Sequence, residues 1–197
     1  MLSSQIDALR VQGGMRERFD DVTLSGDGFS LRPLSVDDIA DITAACQDDS
    51  TQYWLPLPRP YTPQAAQGFI TQMAPAALDS GDGIIRAIDI AGRLHGVIDF
   101  KSTNWPGADT EIGYWVAPWG RGNGLAGRAA RLLADWALTT QDIARVTIYA
   151  ASGNVASQKA AIAAGFVHEG TKRSGGVTHH GRVDLELFGK IRSDIAS

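Results

Sequence analysis

A chain of 197 residues, 44% apolar and 20% charged, is long enough for one domain with a full core and has the composition of an ordinary globular protein. Its net charge of −4, with no basic stripe, speaks against general nucleic-acid binding. The single cysteine, Cys46, leaves no intrachain disulfide and suits a reducing cytoplasm, and no apolar run has the length of a membrane span or the form of an N-terminal signal core.

Residues 1–18 are mixed and polar, with Gly13-Gly14 in the middle, and read as an extension that frays or packs late; residues 19–197 read as a single domain. Residues 22–34 read as strand, turn (Gly26-Asp27-Gly28) and strand. Ser35 N-caps a helix expected over 36–46, which makes Cys46 a buried, inert thiol. The stretch 53–63, YWLPLPRPYTP, carries four prolines, so it is neither a regular helix nor a central strand. A helix follows over 64–78, interrupted near Pro75, and Gly81-Asp-Gly83 is a turn. Segments 84–90 and 94–101 read as a hairpin joined by Ala91-Gly92-Arg93. Next comes the strand EIGYWV at 111–116, then a glycine-rich turn. From Leu125 the apolar residues recur at helical spacing: Ala129, Leu132, Leu133, Trp136 and Ala137. Segment 145–151 is a further strand, and 154–164 is a short helix stopped by Gly165. Strands at 166–172 and 182–188 close the chain, with Gly175-Gly176 and Gly181 in their connection. The order β-α-α-β-β-β-α-β-α-β-β predicts a mixed α/β sheet.

The turn between 116 and 125 carries the chemistry. Gly122 and Gly124 allow positive φ and bare the backbone N–H groups. The helix after them begins with N–H groups that have no intrahelical partner. With the macrodipole, these make an anion site, and such a site at the end of a strand points to a phosphorylated cofactor. A P-loop is excluded, because Gly124 is followed by Leu125 rather than by Lys-Ser/Thr. Gly122-Asn-Gly124-Leu-Ala-Gly127 satisfies the dinucleotide pattern G-x-G-x-x-G. Against a nicotinamide-dependent oxidoreductase stand the intervening Ala117-Pro-Trp-Gly-Arg121 and the lack of a ribose-binding acid after the strand 145–151.

Read as Arg121-x-x-Gly124-x-Ala126, the turn resembles the pyrophosphate loop, Q/R-x-x-G-x-G/A, of the GNAT N-acetyltransferase superfamily. With EIGYWV before it, and Asn154-x-x-Ser157 and Gly165-Phe166 after it, the chain is similar to the branch that acetylates ribosomal-protein N-termini, over about residues 29–190. The resemblance implies an α/β (α+β) fold: a mixed, mostly antiparallel central sheet flanked by helices. It implies transfer of an acetyl group from acetyl-CoA to a primary amine, a protein N-terminus or a small amino compound. Direct attack in a ternary complex is expected, since no paired Cys-His or Ser-His-Asp set is evident. A non-catalytic CoA-binding module is the alternative of a different class.

The resemblance also assigns roles. Arg121, Gly122, Asn123, Gly124, Leu125, Ala126 and Gly127 would cradle the pyrophosphate, with Arg128 or Arg131 meeting another phosphate or simply solvated. Trp115 and Val116 would lie along the pantetheine arm where their strand splays from its neighbour, and the Val116 N–H would stabilise the oxyanion. Glu111 is the candidate base, directly or through water, or the ammonium ligand, or a solvated strand carboxylate; Asp109 is the second candidate. Asn154 would bind the pantetheine amides, cap the following helix, or both. Ser157 would protonate the departing thiolate or merely occupy the first turn. Trp54, with Tyr53, Leu55 and Tyr61, either walls an acceptor pocket or fills core. His179-His180 lacks metal-ligand spacing and reads as a surface turn, and His95 and His168 read as structural or exposed. No metal, nucleic acid or membrane partner is expected, and the chain is expected to be a monomer or homodimer.

Overall fold

The computed structural model describes residues 16–195; most of the expected extension, residues 1–15, lies outside them, as do residues 196–197. The strands are β1 (Leu24–Gly26), β2 (Phe29–Arg32), β3 (Ile84–Ile90), β4 (Arg93–Asn104), β5 (Asp109–Val116), β6 (Arg145–Ala151), β7 (Val167–Thr178) and β8 (Gly181–Ile191). They form one sheet in the order β1-β2-β3-β4-β5-β6-β8-β7. Neighbours are antiparallel except β5 and β6, which are parallel. The mixed, mostly antiparallel sheet is the one expected. No helix of the described residues is long and apolar enough to cross a membrane.

Strand alternation sorts the side chains into two cores. On β3, Ile84 and Ile88 face one way, and Ile85 and Ala87 the other. The first face is covered by α5 (Leu125–Thr140), whose Leu125, Ala129, Leu133 and Ala137 are fully buried with Phe100, Ile112 and Ile148. Phe19 joins this core, stacked on Phe100 with ring centroids 4.9 Å apart. On either side of it in the chain, Arg16 and the Asp20 N–H both donate to Gln141 Oε1 at the end of α5. The second face is covered by α1 (Ile39–Gln47) and the helical stretch that begins at Pro63, through Ile42, Cys46, Ala66 and Ile70. Ser35 caps the 3-10 turn Val36–Asp38 that leads into α1, within a capping box completed by Asp38.

Three elements differ from the sequence expectation. A short helix, α2 (Asp49–Trp54), precedes the proline-rich segment, capped where Asp48 accepts from the Thr51 N–H at 3.0 Å. It ends one residue before Leu55-Pro56, as the pre-proline restriction demands. The helix expected over 64–78 is not broken at Pro75. It runs as α3 (Pro63–Gly68), a π segment (Phe69–Met73) and α4 (Ala74–Asp79). Pro75 has no N–H to return to the preceding turn, and the chain accommodates it by widening upstream. The last two strands are longer than expected. Gly175 and Gly176 lie inside β7, where the pairing with β8 shifts register between Lys172 and Gly176. Cross-strand pairing overrides the loop-like composition, and the connection shrinks to His179-His180.

Leu133 sits at the centre of the α5–sheet seam and is fully buried. Leu133→Ala should cost about 2–5 kcal/mol in urea unfolding. A loss below about 1 kcal/mol would show that this seam does not carry the core.

Candidate active site

β5 and β6 pair only from Asp109↔Arg145 to Ile112↔Ile148. Beyond that point β5 stays paired with β4 as far as Gly96↔Val116, and β6 stays paired with β8 as far as Ala151↔Leu185. The sheet therefore opens as a wedge with both outer halves intact. The Ala117 N–H donates to the His95 carbonyl at 2.8 Å, on the β4 side. Alternation turns the Val116 N–H the other way, into the wedge.

The chain then makes a 3-10 turn, Pro118–Gly120, and reaches Gly122 (φ +90) and Gly124 (φ +65). Gly124 is the N-cap of α5 in the left-handed conformation, and no side chain caps the helix. The first-turn N–H groups thus face the wedge without a capping side chain. Gly127 answers a different need: a Cβ there would stand 3.0 Å from the Ala160 carbonyl, so its absence lets α6 (Val155–Ala163) approach α5.

The wedge holds two chambers. The first, about 530 Å³, is lined by the glycine turn, the start of α5 and α6. The second, about 250 Å³, lies over β4, β5 and β6 and is walled by the β7–β8 hairpin. Trp54, Leu55, Tyr114, Trp115, Asn154 and Ser157 line both, so the chambers meet at the wedge. Trp54 reaches across from α2 to Gly153, where a Cβ would lie 3.1 Å from the indole.

Most of the residues singled out from sequence converge here. Asn154 caps α6, its Oδ1 accepting from the Ser157 N–H at 3.1 Å. The Tyr114 hydroxyl lies 2.9 Å from the Ser157 carbonyl, to which it donates, and 3.1 Å from Ser157 Oγ. Burial raises the Tyr114 pKa, with the Ser157 hydrogen bond opposing. Arg121 lines the first chamber, but its guanidinium is committed. It donates to Asp48 Oδ2 at 2.6 Å, to Thr51 Oγ1 at 3.0 Å and to the Val116 carbonyl at 3.2 Å. Arg128 and Arg131 are not part of the first chamber's lining; they donate to the carbonyls of Asp27 and Ala163. Asn123 is exposed and does not line it either. The sequence reading missed Lys159, an exposed cation on the α6 wall of the first chamber.

The aromatic segment divides. Trp54 and Leu55 line both chambers. Tyr53 stands outside them, edge-on to Trp54 and against the His180 ring. Tyr61 is core, beside Cys46, whose thiol burial pushes up to about 12 against the Tyr61 hydrogen bond. His179 donates to or accepts nothing in the cleft; its Nε2 meets the Leu57 carbonyl at 2.9 Å. Among the described residues no group of three or more His, Cys, Asp or Glu has the arrangement of a metal site.

Glu111 lies on the floor of the second chamber and pairs with Lys101 at 3.2 Å. Asp109 lies outside both chambers, at the β4–β5 turn, bonded by Asn104. A third acid, Asp99, was not anticipated. It shares the floor with Glu111 and Lys101, opposite Gly113 in the β4–β5 register. Burial raises the Asp99 pKa, Glu111 adding to the rise and Lys101 opposing it. At Lys101, burial acts downward, but Asp99 and Glu111 overcome it and raise the pKa. The signal was present: Asp99 and Lys101 are two apart in an otherwise apolar strand, GVIDFK, and so share a face.

Residues 29–167 match the acetyltransferase (GNAT) domain. The chain belongs to this family. In the GNAT frame, the candidate ribosomal N-acetyltransferase YdaF of Bacillus subtilis (strain 168) is 30% identical over 113 residues, 57% of this chain and 62% of that protein, so the match spans less than two thirds of the relative. The fold is also that of Mycobacterium smegmatis RimJ, solved in complex with CoA-disulfide (TM-score 0.82, 18% identity, 90% of each chain). It is likewise that of the microcin C7 self-immunity acetyltransferase MccE, solved with acetyl-CoA and AMP (TM-score 0.78, 18% identity, 84% of this chain and 93% of that one).

The Asp48–Arg121 contact makes a stability prediction. The Arg121 guanidinium, chiefly, holds the Asp48 carboxyl below its usual range, and the Thr51 N–H helps. A carboxyl depressed on folding stabilises above its unfolded pKa, about 3.9, and loses that contribution as pH falls through the lower folded value. Asp48→Ala should therefore cost about 0.5–2 kcal/mol at neutral pH, mostly as a lost helix cap. In urea unfolding the gap to wild type should narrow in acid; an equal gap at both pH values would show that the charge plays no part.

Proposed function

We propose that the protein transfers an acetyl group from acetyl-CoA to a primary amine, by direct attack in a ternary complex. The observation that carries this reading is the meeting of the two chambers at the free edge of β5. One chamber presents the uncapped helix start and glycine turn suited to a pyrophosphate. The other presents carboxylates suited to an ammonium. In this reading residues 19–197 are the single catalytic domain and residues 1–18 its extension.

The backbone of residues 121–127 would hold the pyrophosphate, with Arg121 bracing the loop and Lys159 supplying a mobile cation. The pantetheine arm would run past Trp115, whose backbone faces β4, and take the Val116 N–H that turns into the wedge and the side-chain amide of Asn154. The amine would enter over Glu111, which meets the ammonium as proton acceptor or counter-ion. As nitrogen attacks the thioester carbonyl, the Val116 N–H would donate to the oxyanion, a contribution of about 3–4 kcal/mol for one such donor. Ser157, in contact with the Tyr114 hydroxyl, would deliver a proton to the departing sulfur. Trp54 would roof the acceptor side. The names of the relatives, ribosomal and microcin-immunity acetyltransferases, support an amine acceptor that is a protein N-terminus or a small amino compound.

A thermal-shift panel tests the donor. Acetyl-CoA at about one hundred times its Kd should stabilise the fold by about 2.7 kcal/mol, and NADH should not. A shift with NADH and none with CoA would overturn the reading. Gly124→Val places a β-branched side chain at φ +65 on the proposed phosphate surface. Calorimetry should show lost CoA affinity in a folded variant; unchanged affinity would place the phosphates elsewhere. Ser157→Ala should lower turnover roughly a hundredfold with little loss of CoA binding, because its contact strengthens only as thiolate develops. Loss of CoA binding instead would assign Ser157 a structural role.

A further inference from the structure

Resting on that reading of the site, we propose that Asp99 takes the proton from the incoming ammonium, and that Glu111, held by Lys101, positions the ammonium rather than deprotonating it. The register decides between the two acids. Asp99 stands level with Gly113, and Lys101 level with Glu111. At about 3.3 Å per residue, Gly113 is roughly 7 Å along the strand from Trp115, and Glu111 roughly 13 Å. The chambers meet at Trp115, so Asp99 is the acid one step nearer the thioester side.

Gly113 makes the place for it. A Cβ there would come within 2.5 Å of Asp99 Oδ1 and 3.0 Å of Lys101 Nζ. The missing side chain lets both polar ends lie over the β5 backbone on the chamber floor. Glu111 is already engaged by the Lys101 ammonium at 3.2 Å. The charged and titratable groups facing Asp99 are Lys101 on its own strand, Glu111 and Tyr114 on β5, and Tyr149 on β6. Burial raises the Asp99 pKa against the opposing pull of Lys101, with Glu111 adding to the rise, and so moves the carboxylate in the direction of greater basicity.

The step balances without a further reactant. One ammonium proton passes to the Asp99 carboxylate and frees the nitrogen lone pair. The lone pair forms the C–N bond as the carbonyl electrons move to oxygen; their return breaks the C–S bond, and the electron pair leaves on sulfur. The Ser157 hydroxyl gives its proton to the sulfur, and the second nitrogen proton, passed through water, restores the Ser157 hydroxyl. Asp99 returns its proton to water.

The test uses the full chain, with acetyl-CoA and a panel of short peptides and small primary amines, reading CoA thiol release against pH. Asp99→Asn should lower kcat/KM at least roughly a hundredfold and abolish the acidic limb of the profile, with the CoA-induced melting shift retained. Asp99→Glu should restore the limb. Glu111→Gln should raise KM for the amine and keep the limb. Loss of the limb in Glu111→Gln and its survival in Asp99→Asn would overturn the assignment. Carboxyl carbon NMR of the CoA complex gives a readout free of any acceptor: Asp99 should titrate above the ordinary aspartate range, and a value within or below it would also overturn the proposal. Failure of the transferase reading has a different signature, a wild type that releases no CoA thiol with any amine, and the proposal falls with it.

Discussion

The parting of β5 from β6 after Ile112↔Ile148 is the constraint on which the site depends. A backbone that leaves its ladder must find other partners for its N–H and C=O groups. Here the strands on either side stay paired, so the gap cannot close by slipping. The parallel pairing of β5 with β6, the one such pairing among the described residues, adds the second ingredient. A parallel neighbour needs a crossover, and α5 is that crossover. Its start therefore lies beside the open end of β5, bringing an uncapped helix terminus and a row of free strand groups to the same place.

The charges in the wedge are arranged so that the glycine turn stays backbone-faced. Arg121 is drawn to Asp48, Thr51 and the Val116 carbonyl, and ties the turn to α2. Asp48 serves twice, as the cap of α2 and as the anchor of that arginine. On the floor of the second chamber the carboxylates of Asp99 and Glu111 flank the Lys101 ammonium.

The sheet and most of the cleft were legible in the sequence because their signals are local. The alternation of 84–90, the helical spacing from Leu125 and the cap at Ser35 each follow from neighbouring residues. The glycine turn was legible because few sequences need positive φ twice between a strand and a helix. What failed was set by contacts distant in sequence. Gly175 and Gly176 look like a loop until β8 pairs with them. α2 has too few residues for any periodicity to show. Pro75 names a disturbance but not where the helix relieves it. Asp99 escaped because its meaning lies across the sheet, at Gly113, and Tyr53 was grouped with Trp54 although only Trp54 lines the chambers.

Beyond the six residues they share, the two chambers draw their walls from different parts of the chain. In the proposed reading the donor side is built from the β5–α5 turn and α6, interlocked through Gly127 and the Ala160 carbonyl. In the proposed reading the acceptor side takes Val177, Thr178, Val183 and Leu185 from the β7–β8 hairpin, while Trp54 and Leu55, at the edge of the proline-rich segment, line both sides. That hairpin touches the segment through His179 and His180, away from the helix packing that holds the donor side. Insertions and substitutions in that hairpin can thus accumulate over generations without disturbing the glycine turn, whereas α2 is tied to the turn through Arg121. In evolutionary terms, under the proposed function, the architecture would separate inheritance of the reagent from inheritance of its target, so that descendants of one ancestor could acquire new acceptors while handling the same donor.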